Sequence, residues 1–65
     1  MNHKDAFNAI TGSQFDKRNK AHMEGWRCHN EGYKITMRNV KTGEEYVGYR
    51  DMNKSGKWSR VRWQA

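Results

Sequence analysis

The sequence predicts an α+β domain: one or two N-terminal helices packed on a three-stranded antiparallel β-meander. Three observations carry this expectation. Apolar residues in the first 26 positions recur at helical spacing. After Gly32 they alternate with polar residues, as on a half-buried strand. Glycine-containing turn sequences separate the alternating runs.

The 65 residues suffice for a single small domain (1–65), with a helical half over 1–26 and a sheet over 33–64. A domain of this size buries only about 60% of its unfolded surface, so its core must be thin. The 31% of charged residues raises the question of disorder, but three tryptophans, three tyrosines and two phenylalanines argue for a folded chain.

Asn2 is placed to cap a helix over residues 3–10, with Ala6, Phe7 and Ile10 on one face and Gly12 ending it. Ser13, with Asp16 three positions on, resembles a capping box and opens a second helix over 13–24. Phe15, Asn19, His22, Met23 and Trp26 then form its inward stripe. Gly25 suits the left-handed position that closes a helix. Residues 27–32 read as a connection.

The first strand is expected over 33–38 and the second over 45–50, joined by a three-residue loop at Lys41-Thr42-Gly43. Asn53-Lys54-Ser55-Gly56 is a second turn, and residues 57–63 are a third strand. Such a meander needs a layer on one face, and the helices are the only candidates.

Sorting the strands by parity yields two faces. Tyr33, Ile35, Met37, Val47, Tyr49, Val61 and Trp63 form the underside, meeting Phe7, Ile10, Phe15, Met23 and Trp26. The other face is expected to carry Lys34, Thr36 and Arg38, then Tyr46, Gly48 and Arg50, then Trp58, Arg60 and Arg62. That face holds five cations, two aromatic rings and no carboxylate.

The net charge is +6, and it is uneven. Residues 1–31 hold five basic residues against four acids; residues 32–65 hold eight against three. A one-sided excess favours polyanionic partners. Arg and Lys neutralise phosphates, and Tyr and Trp offer faces on which unpaired bases stack. The expected function is therefore nucleic-acid binding, to DNA or RNA, by Lys34, Arg38, Tyr46, Arg50, Trp58, Arg60 and Arg62. An exposed antiparallel face is polar in any case, and a cross-strand pair of Tyr46 and Trp58 would also stabilise the sheet. The alternative is a small regulator or inhibitor that binds an enzyme or a transcription or replication component, either at an acidic surface of that partner or through its own Phe15/Met23/Trp26 stripe.

Ser55-Gly56-Lys57-Trp58-Ser59-Arg60-Val61 resembles the turn and strand of the plant-type and integrase-type three-stranded DNA-binding domains. In that family a Gly-Lys-Trp hairpin opens a strand of alternating basic residues. The resemblance covers about seven residues. The family's helix follows its sheet, whereas here the helical half comes first, so no residue roles are carried over.

Other chemistry is weakly signalled. His22, Cys28 and His29 include one thiol, whereas structural zinc sites usually hold four ligands in characteristic spacings. No nucleotide-loop, nucleophile-elbow or zincin motif is present, and neither enzymatic activity, a metal nor a cofactor is expected. The single cysteine argues for a reducing compartment. With no apolar run of membrane-spanning length and no signal-like start, the expected location is the cytoplasm, without a membrane partner.

Overall fold

The computed structural model describes residues 1–64. Two helices, α1 (His3–Thr11) and α2 (Phe15–Met23), precede four strands. These are β1 (Trp26–Asn30), β2 (Lys34–Asn39), β3 (Glu45–Tyr49) and the short β4 (Arg62–Trp63). The strands pair antiparallel in chain order, so the architecture is α+β with a four-stranded rather than a three-stranded meander.

Helix α1 follows its sequence signals. The Asn2 side chain accepts the Asp5 backbone N–H at 2.8 Å, and Ala6, Phe7 and Ala9 are buried. Helix α2 does not. It starts at Phe15, its N-cap Gln14 makes no side-chain capping bond, and the box expected from Ser13 and Asp16 does not form. Its stripe is also not its inner face. Phe15 is 69% exposed and Met23 63%, and Ala21 is the one residue of α2 that is buried. Ala21 joins Ala6 and Ala9 of α1 in the buried cluster. Small side chains let the helices approach closely, which leaves long ones such as Phe15 and Met23 outside the contact.

Residues 26–30, assigned mostly to a connection from sequence, form the edge strand β1. Glu31 N–H donates to the Lys34 carbonyl at 2.9 Å, closing a two-residue turn in which Gly32 holds φ +84°. A glycine at the first position of a two-residue loop is the type II′ hairpin arrangement.

The β2–β3 hairpin corrects the expected faces. Arg38 pairs with Glu45, Met37 with Tyr46 and Ile35 with Gly48. The loop therefore contains four residues, 40–43, and not three. It is closed by Asn39 N–H to the Glu44 carbonyl (2.8 Å) and Gly43 N–H to the Asn39 carbonyl (2.8 Å). One extra loop residue inverts the following strand. Tyr46 and Gly48 thus face the helices, and Val47 and Tyr49 face away. Gly48 lies under Trp63, and a β-carbon there would come within 2.8 Å of that indole. The missing side chain is what lets β4 seat its tryptophan.

The expected third strand over 57–63 is reduced to β4 and one bridge between Met52 and Trp58. Tyr49, the last residue of β3, already pairs with Arg62, so residues 57–61 have no β3 partner left. They fold instead onto 51–53, with Ser59 N–H on the Asp51 carbonyl at 2.7 Å and the expected turn at 53–56 held by the Asn53 carboxamide. The family-like stretch 55–61 is accordingly a turn and an irregular segment, not a ladder strand.

The core sits between the helices and one sheet face. Phe7, Trp26, Ile35 and Met37 are buried with the three alanines, and Ile10, Cys28, Tyr46, Val61 and Trp63 pack around them. Among the described residues, no helix is long and apolar enough to cross a membrane.

Candidate nucleic-acid interface

Strand parity and the pairing register define the sheet face turned away from the helices. Three cross-strand rows run over it. Arg27, Arg38 and Glu45 form the first, and His29, Thr36 and Val47 the second. Lys34, Tyr49 and Arg62 form the third. Neighbouring strands lie about 4.8 Å apart, so in the third row Tyr49 is flanked on both sides by a cation. Tyr33, 58% exposed in the β1–β2 turn, brings its ring to 6.4 Å from that of Tyr49.

The electrostatics of this face remain positive. Four cations stand on its rows against the single carboxylate of Glu45. Lys34 and Arg38 have no ion-pair partner among the described residues. Arg62 pairs with Asp51 at 3.0 Å, but both side chains are well exposed, and such a pair is worth little and exchanges readily for another anion. Arg27 donates to the His22 and Trp26 carbonyls, which fixes its guanidinium at the C-terminal end of α2. His29 lies 3.2 Å from Glu31.

Of the seven residues singled out from sequence, this face brings together Lys34, Arg38 and Arg62. Tyr46 is on the helix side, its ring stacked on His3 at 3.9 Å and its hydroxyl donating to Glu44. That bond holds the Glu44 carboxyl below its ordinary range and pushes the Tyr46 phenol up. Arg50 has left the strand. Its Nε donates to the Gly32 carbonyl at 2.6 Å, and its guanidinium lies 4.6 Å from the Trp58 ring. Trp58 and Arg60 belong to the irregular segment beside α1. In exchange the structure adds Arg27, His29, Tyr33 and Tyr49. The alternation Trp26-Arg27-Cys28-His29 was the signal for the first two, and the Gly32-Tyr33 turn for the third.

His22, Cys28 and His29 do not converge. Cys28 points to the core side, His29 to the open side, and His22 is exposed on α2. Burial disfavours the Cys28 thiolate and pushes the thiol pKa up, with Arg50 opposing.

His3 clamps α1 to the sheet between Tyr46 and the edge of Trp63, and its Nε2 is shut from solvent without a hydrogen-bond partner among the described residues. Burial, then the nearby Lys4, hold its pKa below the ordinary 6.5, with Glu44 opposing. The unfolded chain therefore takes up this proton more readily, and stability is lost as the pH falls from above about 6.5 through the lowered folded value. Urea midpoints of the protein should drop between about pH 7.5 and 5.5, and the drop should be smaller in His3→Phe, which keeps a ring over Tyr46. An equal drop in both would remove His3 as its cause.

No protein-family model, curated protein or solved structure matches the chain.

Proposed function

We propose that the chain binds single-stranded nucleic acid, without strong sequence preference, through the open sheet face. The observation that carries this reading is the third cross-strand row, in which Tyr49 stands between Lys34 and Arg62 with Tyr33 alongside. Cations on either side of a ring suit a strand whose phosphates flank a stacked base. Each stacked base contributes about 1–3 kcal/mol, and it does so for any base. Arg38, two rows further along β2 on the same face, extends the positive track along the strand.

The three tryptophans all lie off this face, so the binding is best followed on the nucleic acid. In an anisotropy titration with labelled oligothymidylate and a duplex of equal length, at about 50 and 200 mM salt, the single strand should bind more tightly and lose affinity steeply as salt rises. Preference for the duplex would replace stacking by backbone contact alone.

A second reading is a protein-binding regulator. It is favoured by the exposure of Phe15 and Met23 at the two ends of α2. That reading expects no appreciable nucleic-acid affinity even at the lower salt.

A further inference from the structure

On the other side of β4 from the open face lies a cleft of about 550 Å³, between α1 and the irregular segment that precedes β4. Lys4 and Asn8, one helical turn apart on α1, form one wall. Arg50, Trp58, Arg60 and Trp63 stand among the residues across from them, and among the described residues no carboxylate lines the cleft. Lys4 and Arg60 make no ion pair or side-chain hydrogen bond among the described residues.

Trp58 is held in place. Its ring lies against the Arg50 guanidinium and over Gly32, whose β-carbon, if present, would sit 3.3 Å from it. Arg50 is itself fixed by the Gly32 carbonyl and by the Asn30 side chain at 3.3 Å. It is thus a positioning residue, with its charge partly satisfied. Yet Trp58 keeps 39% of its surface exposed, an unusual cost for an indole in a domain short of core. A rigid, partly open ring, two free cations and an amide-bearing side chain together select a planar, hydrogen-bonding, phosphorylated ligand.

We propose that this cleft is a second binding site, for a 5′-phosphorylated nucleotide, with the base on Trp58, the phosphate between Lys4 and Arg60, and Asn8 in reach of the base or sugar. The volume falls within the range of small-ligand pockets. A phosphorylated phenyl group would satisfy the ring and the cations but leave the Asn8 amide unused, so the nucleotide is the better match. Its source is either a free nucleotide or the 5′ end of a strand.

The test is amide and indole N–H shift mapping with adenosine 5′-monophosphate, compared with adenosine, phosphotyrosine and a tetranucleotide with and without a 5′-phosphate. The nucleotide should shift the Trp58 indole and the amides around Lys4 and Arg60. Removing the phosphate, or substituting Lys4→Gln or Arg60→Gln, should weaken binding about tenfold, the scale of one charge-assisted contact. Arg38→Gln, on the open face, should leave these shifts unchanged, which separates this site from the strand-binding face. If the 5′-phosphorylated tetranucleotide saturates the Trp58 shift at lower concentration than both the monophosphate and its own unphosphorylated form, the ligand is a strand end; equal affinity of the tetranucleotide and the monophosphate at Trp58 identifies the free nucleotide. No shift at Trp58 at millimolar nucleotide, no effect of either substitution, or tighter binding of phosphotyrosine would overturn the proposal. Both substituted side chains are exposed and have no ion-pair partner among the described residues, so the variants are expected to fold.

Discussion

Asn39→Ala should lower the unfolding free energy by about 3 kcal/mol, as measured by urea denaturation. Asn39 is 5% exposed, and its side chain does three jobs at once. Oδ1 accepts the Lys41 and Thr42 backbone N–H groups at 2.9 and 3.2 Å. Nδ2 donates to the Glu24 carbonyl at 3.1 Å, at the C-terminal cap of α2. Alanine leaves these groups without that partner and opens a gap beside Gly25, which packs on Oδ1. A domain of this length has a total stability of roughly 3–10 kcal/mol, so the loss takes it to the edge of unfolding. Asn39→Asp keeps the two acceptor bonds and loses the donor, and should fall between alanine and the parent only if a buried carboxylate is tolerated there. A loss below about 1 kcal/mol for Asn39→Ala would mean that Gly43, at φ +81°, sets the hairpin unaided.

Asn39 is also where the sequence was hardest to read. Helix α1 was legible because the Asn2 cap, the Ala6/Phe7/Ile10 face and the Gly12 stop all agree. Strand β2 was legible because Ile35 and Met37 are flanked by Lys34, Thr36 and Arg38. Strand β3 carries tyrosines at both parities, Tyr46 and Tyr49, so its pattern does not choose a face, and the loop length does. Lys41-Thr42-Gly43 reads as the whole loop unless Asn39 is recognised as the residue that ends β2 and folds the loop onto its own carboxamide. One residue of loop then moved Tyr46 to the core and Tyr49 to the surface. The α2 stripe misled for a different reason. Its aromatic and methionine side chains match the helical period, but the packing of α2 is set by the short Ala21, a preference that periodicity does not weigh. Residues 57–63 alternate as a strand should; what 57–61 lack is a β3 neighbour, and that follows only from where β3 ends.

The candidate site was legible in its charge and not in its geometry. Lys34, Arg38 and Arg62 share the open face. Arg50, Trp58 and Arg60 gather around the cleft beside α1, and Tyr46 stacks on His3. The excess charge of the second half of the chain is thereby divided between two surfaces.

The double variant Lys34→Gln/Arg38→Gln should bind single strands roughly thirtyfold more weakly than the parent at about 50 mM salt, with each lost phosphate contact contributing about 1 kcal/mol. Both side chains lack an ion-pair partner among the described residues, so the substitution leaves no buried charge behind. Glutamine keeps much of their length on β2. The comparison is Lys17→Gln/Lys54→Gln, with the same change in net charge at exposed positions off the sheet face. That control should lose only a few-fold through the weaker overall field, an effect that acts on encounter more than on contact.

The most direct test of the open-face account is the salt dependence of oligothymidylate affinity in the parent and these two variants. Each single-strand phosphate contact contributes about 0.7 to the slope of log affinity against log salt. The account predicts a slope shallower by about 1.4 in Lys34→Gln/Arg38→Gln and close to the parent's in Lys17→Gln/Lys54→Gln. Equal slopes in the two variants would contradict it, because binding would then follow net charge and not this face.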